Sequence, residues 1–310
     1  MFKVDKPLIF EVGSMAYLID NMGMGGGILF VGEERALLID TGCGNTDLKA
    51  LVAPYIGEKP LLVALTHEHG DHAGGMGQFE KVYAPALEIA TMQKYTREFL
   101  QKFLDFFISI VTDPDGMCGC YVPKRELVSF GIPEFVPIYD GDVFDLGGRH
   151  VTAYRCQVHS KGHMVFVDDK TRILFAGDSI SDSTGPASNP INPPTIVSLE
   201  DEIRALYHIR EHEAEYDRIF GGHPEWGGHY DHITGMEPAV IDRMIRVGEA
   251  ALRGEIPIGE ETGSHGDRSY AAIGQTTLFF FRRYMYDTDL PEEYRYADPG
   301  HTPRQAAIKE

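Results

Sequence analysis

Cysteine, tryptophan and positive charge are all scarce in this chain of 310 residues. Its four cysteines, Cys43, Cys118, Cys120 and Cys156, are too few to staple a fold of this length, which excludes a disulfide scaffold. Cys118 and Cys120 stand in Met117-Cys118-Gly119-Cys120 with no second pair at the spacing of a cysteine zinc site, so reduced thiols are expected. Lys and Arg number 28 against 47 Asp and Glu, a formal net charge of −19. Without clustered positive charge to displace counterions, a nucleic acid is not an expected partner, and a small-molecule substrate is. No stretch approaches the roughly 20 apolar residues of a membrane span, so no membrane partner is expected. The opening Met1-Phe2-Lys3-Val4-Asp5-Lys6-Pro7 lacks an apolar run of signal-peptide length, and a cytoplasmic location is expected. Nothing in the sequence speaks to oligomeric state.

What is present is ordinary globular material, 43% hydrophobic and 24% charged, enough for a single domain over residues 1–310 with a sizeable core. Apolar runs between Gly-rich or charged turns predict strands at 8–12, 16–20, 28–31 and 36–40. The Gly/Met segment 22–27 reads as a flexible loop bordering the site. It is not a phosphate cradle, because no Lys-Ser/Thr follows and no helix opens there. A helix is expected over 46–55, then a buried strand over 60–65. Residues 86–110 carry a helical pattern and 112–137 an irregular one. Together, 86–137 form an insertion longer than a connection requires. Its Phe99, Phe103, Phe106 and Phe107 either line the site or pack on the core. Strands are expected again at 143–146, 151–154, 164–168 and 173–176, helices from Ser198 to about 214 and over 238–253, and a last strand over 276–281. This order predicts the α/β (α+β) class, as an αββα sandwich of two mixed sheets with helices on the outer faces.

The chemistry begins where the strand at 60–65 ends. Thr66-His67-Glu68-His69-Gly70-Asp71-His72 packs four candidate ligands, His67, His69, Asp71 and His72, into six positions. Imidazole and carboxylate are what zinc accepts, and iron or manganese accept them as well. Alternation at a strand end aims His67 and His69 the same way. Gly70 lets the backbone curl, so Asp71 and His72 reach a second position nearby.

The run resembles the signature of the metallo-β-lactamase superfamily, and four further motifs resemble that family's in the expected order. They are Leu38-Ile39-Asp40-Thr41-Gly42, Val158-His159-Ser160-Lys161-Gly162-His163, Leu174-Phe175-Ala176-Gly177-Asp178-Ser179 and Ile219-Phe220-Gly221-Gly222-His223-Pro224. The resemblance covers about residues 28 to 226. It implies the metallo-β-lactamase fold and two divalent metal ions, zinc first. One ion is held by His67, His69 and His163, the other by Asp71, His72 and His223, with Asp178 bridging both. His163 is preferred as the third histidine because a glycine precedes it, and His159, four residues earlier, is its competitor. Asp40 would orient a metal-bound histidine.

The implied enzyme is a dinuclear metal-dependent hydrolase that cleaves an ester, thioester or lactone of a small molecule with a hydroxide held between the ions. Asp71 would orient that nucleophile or receive its proton. The alternatives are a small-molecule phosphodiesterase and, further off, a di-iron oxidoreductase of the same fold. Those oxidoreductases typically carry a glutamate where His69 stands and append a flavin domain. Cys43 reads as a turn filler. His229, Tyr230, His232 and His265 are further polar groups without an assigned role.

Overall fold

The structure, a computed structural model, describes residues 2–3, 5–112, 120–121, 123–186, 196–223, 234–263, 266–295 and 307–309. Two mixed sheets carry it. The larger runs in the order Leu8–Gly13, Ala16–Asp20, Gly26–Val31, Ala36–Ile39, Leu61–Ala64, Lys81–Pro85 and Glu134–Ile138. Its first four strands are antiparallel, and those from Ala36–Ile39 onward are parallel. The second sheet orders Asp142–Asp145, His150–Arg155, Met164–Asp168, Ile173–Gly177 and Arg218–Gly221, with only its last pair parallel. A smaller sheet of Ser183–Thr184, Thr276–Phe280, Gly266–Ile273 and Gly259–Gly263 stands beside them.

Strand alternation sorts the side chains into three cores. Leu37 and Ile39 face the second sheet, where they meet Phe144, Phe166, Phe175 and Phe220. Ala36 and Leu38 face outward, against Leu48 and Val52 of the helix Leu48–Ile56 and Leu104 of the helix Arg97–Thr112. On the second sheet Phe166 points in, while Val165 and Val167 point out to the helices Leu199–Glu211 and Ala239–Leu252. A period of two on both sheets, with apolar residues on each face, requires cover on both sides. The αββα sandwich expected from the order of elements is therefore the fold.

Local chemistry sets the helix ends. Asp47 accepts from the Ala50 N–H at 3.0 Å and caps the first helix. Ser198 accepts from Asp201 N–H at 3.0 Å and opens Leu199–Glu211, as its sequence suggested. Elsewhere the structure departs from expectation. The pattern over 86–110 is not one helix but Ile89–Met92 followed by Arg97–Thr112. The stretch expected to be irregular ends in an edge strand, Glu134–Ile138, whose Pro137 lacks a donor and so gave no strand signal. Segment 22–27 is no open loop either, because Met22 and Met24 are buried in the outer core. No helix among the described residues is long and apolar enough to cross a membrane.

One side chain ties the two sheets together away from the site. Arg149, just before the strand His150–Arg155, donates to the Met15 and Val31 carbonyls at 2.6 and 2.9 Å and also to Ser14 O. Its Nε lies 3.1 Å from Asp168 Oδ1, and both side chains are buried. Three carbonyls of one sheet and a carboxylate of the other thus share one guanidinium. Arg149→Met leaves Asp168 buried without its cation, and a loss of about 3–5 kcal/mol is expected in urea unfolding. A loss under about 1 kcal/mol, the range of an exposed pair, would show the tie to be dispensable.

Candidate metal centre

The parallel strands place their carboxyl ends on one edge of the sandwich. Ile39 leads to Asp40, Ala64 to Thr66 and His67, Gly177 to Asp178, and Gly221 to His223. Two groups of donor atoms converge there, each within 4.8 Å: His67, His69 and His159, and Asp71, His72, Asp178 and His223.

In the first group His69 Nδ1 lies 2.9 Å from His67 Nε2 and 3.0 Å from His159 Nε2. In the second, His223 Nε2 lies 3.0 Å from Asp71 Oδ2 and 3.3 Å from His72 Nε2. Asp178 stands between the groups, its Oδ1 3.2 Å from His72 Nε2 and its Oδ2 3.3 Å from His223 Nε2 and 3.5 Å from His159 Nε2.

The structure thus gathers the donor atoms of six of the seven residues proposed as ligands, and the group of His67 and His69 takes in a donor atom of His159 and none of His163. The cause is the path of the loop. The His163 carbonyl accepts from Cys156 N–H at 2.8 Å, closing the hairpin from which the strand Met164–Asp168 departs. His163 is held at that base, its ring stacked on His67 with centroids 4.7 Å apart, its Nε2 accepting from the Asp178 N–H at 3.2 Å. His159 sits within the loop, and its Nδ1 donates to Gly185 O at 2.8 Å. The glycine before His163 has another role, taken up below. Residues 224–232 and 265, with Tyr230 and the histidines 229, 232 and 265, lie outside the described residues, as does Cys118. Cys43 is buried, its thiol 3.1 Å from Met24 O and pushed well up in pKa by burial and by Asp71, so it is no nucleophile.

Around the groups, hydrogen bonds fix which nitrogen of His67, His72 and His159 carries the proton. Asp40 Oδ1 accepts from Thr66 N–H at 2.7 Å and its Oδ2 from Thr66 Oγ1–H at 2.8 Å. The same Oδ2 accepts from His72 Nδ1 at 2.9 Å. Thr66 Oγ1, its own proton committed, accepts from His67 Nδ1 at 2.9 Å. His67 and His159 therefore each turn an unprotonated Nε2 toward His69 Nδ1, and one shared proton cannot satisfy both contacts. A cation satisfies all three nitrogens. The donor set of neutral imidazoles and carboxylates fits divalent zinc, iron or manganese.

Electrostatics separate the groups. Burial and neighbouring rings lower His67 well below the usual imidazole range and His69 to about 3, and burial also lowers His159. Burial thus disfavours the charged form of all three. Burial opposes charge on His72 too, but Asp178, Asp71 and Asp40 outweigh it and raise its pKa well above the ordinary value. Against the same burial, Asp178 and Asp71 push His223 up to about 9. Asp71 and Asp178, though buried, are held well below the usual carboxylate range by His72 and His223.

The helix Arg97–Thr112 closes one side. Phe107 lies parallel to His223, ring centroids 6.2 Å apart at 13°, and stacks on Phe103. Phe103 packs on Gly70, where a Cβ would come within 2.7 Å of its ring. Segment 22–27 backs the site rather than bordering its mouth. A Cβ on Gly25 would meet Asp71 O at 2.6 Å, and Gly26 N–H donates to Gly222 O at 2.7 Å.

Comparison with known proteins matches this layout. The family model for the metallo-beta-lactamase superfamily matches residues 24–223. An acyl-coenzyme A thioesterase of Gallus gallus is 32% identical over 164 residues, covering 49% of this chain and 56% of that protein. An atrochrysone carboxyl ACP thioesterase of Cryptosporiopsis sp. is 31% identical over 156 residues, 49% of this chain and 37% of that protein. The matched part spans about half the length of these relatives, or less. A metallo-beta-lactamase from Pontibacter korlensis superposes with a TM-score of 0.51 at 16% identity, covering 79% of this chain and 99% of that one, a likeness of fold.

The raised His223 gives a stability prediction for protein stripped of metal. Its folded pKa of about 9 exceeds the ordinary 6.5, so the stabilisation is complete below 6.5 and lost as pH rises toward 9. The depressed His67 and His69 act only on the acid side of 6.5. Melting of chelator-treated protein is expected at progressively lower temperature from pH 6.5 to about 9, with His223→Gln flattening the upper part of the curve. A midpoint that rises over this range would contradict the assignment.

Proposed function

Since the chain belongs to the metallo-β-lactamase superfamily, we propose that it is a metal-dependent hydrolase cleaving thioesters of small molecules at a pair of divalent ions, zinc first. The observation that carries the reading is the two donor groups joined through Asp178. The thioester is favoured over an oxygen ester or lactone by the names of the relatives.

In this reading His67, His69 and His159 would hold one ion, Asp71, His72 and His223 the other, and Asp178, between the two groups, would serve both. When bound, the ions supply Lewis acidity for the acyl carbonyl and bring the pKa of water down to about 7. The chain's own groups do the rest. Asp40, Thr66 and Gly185 hold the rings in the tautomers that turn lone pairs to the site. Asp71 orients the attacking water and receives its proton. Phe107 and Phe103 keep bulk water from the side of His223 and Gly70, which strengthens every charge interaction inside.

Turnover of an acyl-coenzyme A, an oxygen ester, a lactone and a phosphodiester tests the class. Thioester hydrolysis should dominate, cease on chelation and return with zinc or manganese. His159→Ala should hold one ion equivalent instead of two, His163→Ala should keep both, and Asp178→Ala should lose both ions and activity. Thioesterase activity indifferent to chelation, or none at all, would sink the reading.

We further propose that the 86–137 insertion sets acyl-chain preference. Phe103 is fully buried, so Phe103→Ala should cost about 3–5 kcal/mol of stability without changing preference. Phe99 is half-buried on the same helix, beside Tyr95. Phe99→Ala should change the ratio of kcat/KM for long against short acyl thioesters by about tenfold, with both ions bound. An unchanged ratio would confine these aromatics to packing.

A further inference from the structure

Glu88 lies at the start of the insertion, buried, outside every sequence motif, and joined to both loops that carry the His67, His69 and His159 group. Its Oε2 accepts from the Glu68 N–H at 2.6 Å, and Glu68 is the residue between His67 and His69. Its Oε1 accepts from the Gly162 N–H at 2.8 Å and from the Ser160 hydroxyl, both in the loop that carries His159. Tyr95 secures the next peptide of the same loop, its hydroxyl donating to Glu68 O at 2.6 Å. Gly162 leaves room for this carboxylate, since a Cβ there would lie 2.7 Å from Glu88 Cγ.

Resting on the proposed function, we infer that Glu88 is a positioning residue that sets the distance between His159 and the pair His67 and His69. The two ligand-bearing loops belong to different sheets. The His67–His69 loop leaves the strand Leu61–Ala64, and the His159 loop joins His150–Arg155 to Met164–Asp168. A carboxylate accepting from both loops is a brace of fixed length between them. Zinc tolerates only about 0.2 Å in its nitrogen distances, so the brace governs how well three imidazoles from two loops close on one ion. Without it, the buried Glu68 and Gly162 N–H groups lose their acceptor, a penalty relieved by the loops moving toward water. Glu88 touches neither substrate nor ion in this reading.

Glu88→Gln keeps the shape but turns an NH2 toward a backbone donor, and Ser160→Ala removes one of the three bonds. Both are tested in full-length protein by competition for zinc against a chromogenic chelator, with melting of the metal-free forms measured in parallel. Glu88→Gln should weaken one of the two zinc equivalents by about 10–100-fold and leave the other near the parent value. Ser160→Ala should weaken the same equivalent by less. The visible absorption of one of two bound cobalt ions should shift in Glu88→Gln, and kcat should fall with KM little changed. A lower melting temperature with both zinc affinities at the parent value, in either variant, would overturn the brace and leave the proposed function standing. A parent protein that binds no zinc would overturn both.

Discussion

The site is organised around the Asp40 carboxylate. It is fully enclosed and accepts three hydrogen bonds, two from Thr66 and one from His72. Its backbone φ of 66° lies in the left-handed region, which for a residue other than glycine costs about 1 kcal/mol or more and persists only where surroundings enforce it. From this one group the proton positions of His72 and, through Thr66, of His67 follow. Each imidazole has a single lone pair to offer when neutral, so a wrong tautomer turns a ligand into a donor. Asp40 reaches both donor groups at once because it leaves the strand Ala36–Ile39, the parallel neighbour of the strand that carries the signature. On the other sheet Gly177 completes the packing, for a side chain there would meet His163 Nε2 and Thr66 Oγ1, both at 2.8 Å.

Charge is distributed unequally across the two groups, and the inequality has chemical meaning. A divalent ion held in the proposed way by three neutral imidazoles would keep its charge undiminished, which suits polarisation of a carbonyl. Asp71 and Asp178 supply negative charge on the other side, and they raise the pKa of both His72 and His223. Asp178, in reach of His72, His159 and His223, makes the two groups one electrostatic unit, so a change of charge in one changes the field at the other.

Much of this was legible in the chain itself. The apolar strand before Thr66, the spacing His67, His69, Asp71, His72 and the strand endings at Asp40, Asp178 and His223 are local patterns, and local patterns survive in sequence. Ser198 announced its helix for the same reason. The choice between His159 and His163 was not legible, because it depends on which residue closes a hairpin and which stands within it. The glycine that drew attention to His163 is there to admit Glu88, some seventy positions earlier in the chain. Glu88 itself carried no signal. A lone glutamate opening an amphipathic stretch looks like any solvated residue until both sheets are in place.

The sequence alone determined the alternating faces, the candidate donor groups and the family, since each is written in residues a few positions apart. Tertiary structure alone decided which of His159 and His163 turns a donor atom toward His67 and His69, the burial of Met22, Met24 and Phe103, and the hydrogen bonds of Glu88. Those outcomes depend on contacts between segments distant in the chain, and only the packing of one sheet on the other brings those segments within hydrogen-bonding distance.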